Sequence, residues 1–141
     1  MTRRQLLQST AALTLASALA AEAQPSAAIT PETVYELRIY HLNPGKLPLI
    51  LNRFRTRETK IFTRLGMHCV AFWTPIDGTL PTETLVYLLR HKSRAAATAA
   101  WDAFGKDPEW VALKAESEKD GAFVNKHDIT FLKLTDFSPS I

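Results

Sequence analysis

Thiols are almost absent: Cys69 is the single cysteine among 141 residues. That excludes an intramolecular disulfide and any multi-cysteine metal site. Cys69 lies in an apolar run and reads as a small buried hydrophobe; only the neighbouring His68 offers the local cation that a reactive thiol needs. Charge of one sign is also scarce. Lys and Arg number 17 against 14 Asp and Glu, a net charge of +3, part of which belongs to Arg3 and Arg4. No basic cluster with interleaved aromatics occurs, so no nucleic-acid partner is expected. A phosphate-binding glycine loop, a dinucleotide fingerprint, an HExxH pair and Ser-His-Asp logic are all missing, and no cofactor is called for. No repeat is present, and no apolar run is long enough to span a bilayer convincingly.

What is present begins with an export pattern. Thr2-Arg3-Arg4-Gln5-Leu6-Leu7-Gln8 places a twin arginine before the short apolar segment Leu13–Ala21, and Ala21-Glu22-Ala23 fits a small-x-small cleavage site. Residues 1–23 are therefore expected to be a signal peptide that resembles the bacterial Tat type. Leu6 and Gln8 stand where Phe and Lys are commoner, and a Sec signal is the alternative. Both lead to a periplasmic or secreted protein with no stable membrane anchor after cleavage. Residues 24–32 form a Pro/Ala/Ser linker, and residues 33–139 form the folded domain.

The domain opens on V-Y-E-L-R-I-Y-H-L, residues 34–42, with the period of a strand. Tyr35, Leu37 and Ile39 make one face mostly apolar; Glu36, Arg38 and Tyr40 make the other polar. Asn43 and Pro44 suit a helix cap and first turn, so a helix is expected from Pro44 to about Leu65, closed by Gly66. Its apolar stripe includes Ile50, Phe54, Ile61 and Phe62. Arg53, Arg55, Arg57, Glu58, Lys60 and Arg64 fall largely off that stripe and read as a solvated face. Residues 67–74 and 82–92 form a hairpin around Asp77-Gly78. Ser93 caps a second helix that Gly105 interrupts and Asp107-Pro108 restarts, up to about Lys119. A last strand is expected over about 128–136.

The order βαββαβ predicts an α+β, ferredoxin-like sandwich: a four-stranded antiparallel sheet in order 4-1-3-2 with both helices on one face. Two helices cannot cover both sides of that sheet, so a homodimer is expected to bury the second. Two sheets then enclose a space, and Glu36, Arg38 and Tyr40 are expected to line it.

The quoted opening, with A-F-W-T at 71–74, L-V-Y-L-L-R at 85–90, Asp107-Pro108-Glu109-Trp110 and Asp136-Phe137-Ser138-Pro139, resembles the NIPSNAP domain over Thr33–Pro139. That family is similar to the dimeric α/β-barrel group, which includes cofactor-independent monooxygenases, haem-handling proteins and muconolactone-isomerase-like proteins. The resemblance implies the fold and the dimer and carries no catalytic motif.

Candidate ligand-binding residues are Glu36, Arg38, Tyr40 and Trp73, the last at a cavity mouth beside the hairpin. Glu36 and Arg38 share a strand face, as a proton acceptor with an anion-orienting guanidinium would; the structural alternative is a salt bridge inside the dimer interface. Tyr40 is a phenol donor or an interface aromatic. His41, His68, His91 and His127 are expected on one rim, with His41 and His91 as candidate metal or anion ligands; unrelated surface histidines are the alternative. The expected function is a small-molecule-binding or interaction module. The alternative is a cofactor-independent monooxygenase or isomerase acting on a small aromatic or enolisable compound.

Overall fold

The computed structural model describes residues 28–141. The expected signal peptide and the first four residues of the linker lie outside the described residues. Val34–Leu42 (β1) is the centre of the sheet. It pairs antiparallel with Thr84–His91 (β3) on one side and Val124–Leu132 (β4) on the other. His68–Trp73 (β2) pairs antiparallel with the outer edge of β3. The spatial order is β2-β3-β1-β4, as the βαββαβ reading predicts.

The first helical region starts later than Pro44. Asn43, Pro44 and Gly45 form a turn, with Gly45 at φ +77°, and helix α1 spans Leu47–Arg53 with Pro48 in its first turn. The Glu83 carboxylate accepts hydrogen bonds from the Gly45 and Leu47 amides at 3.3 and 3.2 Å, the role that Asn43 was expected to fill. A π-helical segment, Phe54–Glu58, separates α1 from Thr59–Arg64 (α2). Gly66 closes α2 at φ +81°, as expected. Ser93 caps Arg94–Lys106 (α3) by accepting from the Ala96 amide. Gly105 does not interrupt that helix. The break comes at Asp107, which turns extended and caps Pro108–Ser117 (α4) through the Glu109 and Trp110 amides.

The helices cover one face of the sheet. Ile50, Phe54, Ile61 and Phe62 pack there against Leu85, Tyr87 and Leu89 of β3 and against Phe104 of α3. Each such fully buried side chain contributes about 1.5–3 kcal/mol. Strand β4 lies about four residues earlier than expected, because V-N-K-H-D at 124–128 pairs with β1 despite its polarity. As an edge strand it leaves most of these side chains in solvent, so hydrophobic pattern carries little sign of it.

The alternation in β1 is as predicted, but its two faces are reversed. Glu36, Arg38 and Tyr40 point beneath the helices and are 0, 9 and 9 % exposed. Leu37 and Ile39, with their partners Leu88 and Val86, occupy the uncovered face and stay partly exposed. The polar side can go inward because its charges find partners within the chain. Glu36, Arg38 and Tyr40, expected to line an inter-sheet space, instead face the space between sheet and helices of a single chain.

Candidate functional site

Two polar clusters lie beneath the helices. The first surrounds Glu36. Its carboxylate accepts hydrogen bonds from Arg38 Nε at 2.6 Å, His91 Nε2 at 2.7 Å and Trp101 Nε1 at 2.7 Å. The Arg38 guanidinium lies 3.5 Å from the centroid of the Trp101 ring. Burial pushes the Glu36 carboxyl up, but donation from His91, Trp101 and Arg38 holds it below the ordinary value. With three donors on one carboxylate and no open side, this cluster ties β1, β3 and α3 together. Glu36 and Arg38 form a buried ion pair within the chain, beneath the helices.

The histidines do not share a rim. Because β1 and β3 are antiparallel, His91 pairs with Val34 while His41 pairs with Thr84. The two lie on opposite faces, about 23 Å apart along the strands at roughly 3.3 Å per residue. His91 is held by Glu36, and His41 by Asp128 at 2.8 Å. Among the described residues no group of His, Cys, Asp and Glu could hold a metal ion. Trp73 is also misplaced by the sequence reading. It pairs with Val86 on the uncovered sheet face, 50 % exposed, away from Glu36, Arg38 and Tyr40. Cys69 is half-buried, and burial followed by the charge of Glu58 pushes its thiol up to about 11, so it is no nucleophile.

The second cluster arises from the π-helical segment. At about 100° per residue, positions i and i+5 of an α-helix point about 140° apart. The wider π turn brings Arg53 and Glu58 together, and Arg53 Nε meets Glu58 Oε2 at 2.8 Å. The Thr59 hydroxyl donates to the Phe54 carbonyl five residues back. Arg53 is further held by Glu118 Oε1 at 2.8 Å and Ser117 Oγ at 3.1 Å, between the rings of Trp110 and Phe123. Arg53 and Glu58 are 5 and 2 % exposed, not part of a solvated face. One guanidinium is thus shared by two carboxylates. Burial raises the Glu58 carboxyl to about 7; Arg53 pulls it down and Glu118 adds to the rise.

This cluster borders a cavity of about 330 Å³ between β1, β4 and the helices. Phe104, Trp110 and Val124 supply apolar wall; Tyr40, Glu58, Lys114 and His127 supply polar groups. The Tyr40 hydroxyl accepts from Tyr87 Oη at 2.7 Å and from an Arg38 guanidinium nitrogen at 3.4 Å. Both oxygen lone pairs are thereby engaged, and its own hydrogen has no acceptor among the described residues. Burial pushes the Tyr40 phenol up, against the pull of Arg38, so it stays protonated. Tyr40 is thus a sequence candidate that reaches this cavity with a polar atom to spare.

Sequence reasoning missed Arg53 and Glu58 because their charge assigns them to a solvated face, although at helical period Glu58 stands four residues from both Phe54 and Phe62, on the apolar stripe itself. The available signal was three threonines, Thr56, Thr59 and Thr63, inside one helix; each hydroxyl donates to a backbone carbonyl four or five residues back. A π segment inside a helix is itself frequent at functional sites.

Comparison with known proteins agrees with this architecture. A NIPSNAP domain protein from Burkholderia xenovorans is 22 % identical over 76 % of this chain and 99 % of its own, with a TM-score of 0.64. A NIPSNAP family protein from Agrobacterium tumefaciens is 20 % identical over 76 and 97 %, with a TM-score of 0.66. A protein from Nitrosomonas europaea, provisionally named an antibiotic biosynthesis monooxygenase, has the same fold at a TM-score of 0.54 and 11 % identity, over 79 and 99 %. No curated protein matches the chain. The family model for NIPSNAP matches residues 35–139, nearly the whole of the described fold, and the chain belongs to the NIPSNAP family.

Proposed function

We propose that this chain is an exported, homodimeric protein that binds a small molecule in the cavity between its sheet and its helices. The cavity of about 330 Å³ carries the proposal: it falls in the size range of ligand sites and joins apolar wall to a few convergent polar groups. Lys114 has no ion-pair partner among the described residues, and the His127 ring nitrogens make no hydrogen bond there. Both border the cavity, so the Lys114 ammonium and a His127 ring N–H suit an acid group on the ligand, while Trp110 and Phe104, stacked at 4.4 Å, suit an aryl or alkyl body.

The homodimer is supported by the other face of the sheet. Leu37, Ile39, Val86 and Leu88 form an apolar strip beside the half-exposed Trp73, with no helix above it among the described residues. A second copy placed sheet to sheet buries that strip without entering the cavity. Export is supported by the twin arginine and the Ala21-Glu22-Ala23 site.

Native mass spectrometry of the protein purified from a bacterial periplasm tests the reading. We expect a dimer whose chains begin at Gln24 and carry a small mass that denaturation releases. Val124→Trp, which fills the cavity, is expected to lose the added mass and keep the dimer; Ile39→Asp is expected to give monomer. A wild-type monomer overturns the dimer, and an added mass unaffected by Val124→Trp overturns the assigned cavity. An enzymatic role is the second reading, favoured by a buried carboxyl that titrates near neutrality beside that cavity.

A further inference from the structure

We propose that Glu58 and Tyr40 act as a proton-transfer pair on a small oxo acid: Glu58 takes a proton from the carbon beside the carbonyl, and Tyr40 holds the carbonyl oxygen. This rests on the cavity being the ligand site, and adds the substrate class and the roles of its residues.

The geometry favours this division of labour. Glu58 spends Oε2 on Arg53, while Oε1 makes no hydrogen bond among the described residues and the side chain borders the cavity. Tyr40 borders the same cavity from the sheet side. Its oxygen already accepts from Tyr87 and Arg38, so the hydrogen it has left is made a better donor for negative charge developing in the cavity that Tyr40 borders. An acid group on the substrate is met by Lys114 and His127. Such a carboxylate beside a ketone makes the substrate a 2-oxo or 3-oxo acid with an apolar tail.

The chemistry is closed within these groups. The α C–H bond breaks, its proton goes to Glu58, and its electron pair forms the carbon–carbon double bond of an enolate. The carbonyl oxygen takes up the negative charge while Tyr40 donates to it. Glu58 then returns the proton to the same carbon, which exchanges hydrogen with solvent, or to a conjugated carbon, which isomerises the substrate. No oxidant or reductant is consumed. The base must be unprotonated, so the rate depends on the groups around Glu58. Arg53 and Glu118 face it from α1 and from just beyond α4, and Tyr40, Tyr87 and Cys69 face it from the sheet. Lys114 and His127 share its cavity.

The test uses phenylpyruvate in D2O, following loss of its methylene proton signal by NMR, with binding measured separately by calorimetry. The wild-type protein is expected to accelerate exchange at least ~100-fold over Glu58→Gln, and Tyr40→Phe to be slower by ~10-fold or more, in the range of general acid–base effects. Glu58→Gln is expected to retain binding. The wild-type rate is expected to rise with pH and level off above about 7. Exchange that persists in Glu58→Gln, or binding without accelerated exchange in the wild type, overturns the proton-transfer pair and leaves the ligand site standing. Absence of phenylpyruvate binding overturns the oxo-acid assignment. If Glu58→Gln does not fold, Tyr40→Phe decides: a rate equal to wild type overturns the proposal.

Discussion

Glu36 and Glu58 share almost every coarse description. Both are buried where the helices pack on the sheet, both are at most 2 % exposed, and both touch an arginine Nε within 2.8 Å. Their carboxyls nevertheless move in opposite directions, Glu36 below its ordinary value and Glu58 up to about 7. The difference lies in the donors. Glu36 has three hydrogen-bond donors, whereas Glu58 has one, from a guanidinium that also serves Glu118. A buried carboxylate with full hydrogen bonding is structure; one left short of donors beside a cavity is available for chemistry.

The largest effect should come from breaking the satisfied cluster. Glu36→Ala leaves His91, Arg38 and Trp101 donors without their acceptor and should destabilise the fold by about 3–5 kcal/mol in urea unfolding. The next separates the two carboxyls by pH. The stabilisation from Glu36 is present above its ordinary value and is lost as pH falls through its lowered one. Glu58 behaves in reverse: folding holds its proton more tightly than the unfolded chain does, so its contribution is full below about 4.5 and lost as pH rises through about 7. The span corresponds to about 3 kcal/mol. Unfolding midpoints for Glu58→Gln should therefore fall less than wild type between pH 4.5 and 8. An unchanged slope would remove Glu58 as the group responsible. The smallest effect should be Trp101→Phe, which deletes one of the three donors to Glu36 while keeping a ring over Arg38; about 1–2 kcal/mol is expected, with no change in the pH slope above 5.

The same contrast explains what could be read in the sequence. Strand order, the caps at Ser93 and Asp107 and the turn at Gly66 follow from local chemistry, and all stand in the structure. The polar alternation of β1 was visible, but not its direction. Whether Glu36 faces solvent or core depends on His91 and Trp101, which are 55 and 65 residues away. The histidine rim failed because strand ends were placed together without following the antiparallel register. Glu58 failed for a different reason: its place four residues from Phe54 and from Phe62 put it on the apolar stripe, and its charge outweighed that spacing in the reading.

The wide turn at Phe54–Glu58 makes the helix depend on a count as much as on composition. Removing one of the residues between Arg53 and Glu58 would let the segment run as a regular α-helix, with both charges still encoded. Arg53 and Glu58 would then stand at i and i+4, where a regular helix also brings them together. What such a chain would lose is the carbonyl that the wide turn leaves for the Thr59 hydroxyl. Within a family of shared fold, a one-residue gap at this point therefore marks a change of helix geometry and not the loss of the buried ion pair.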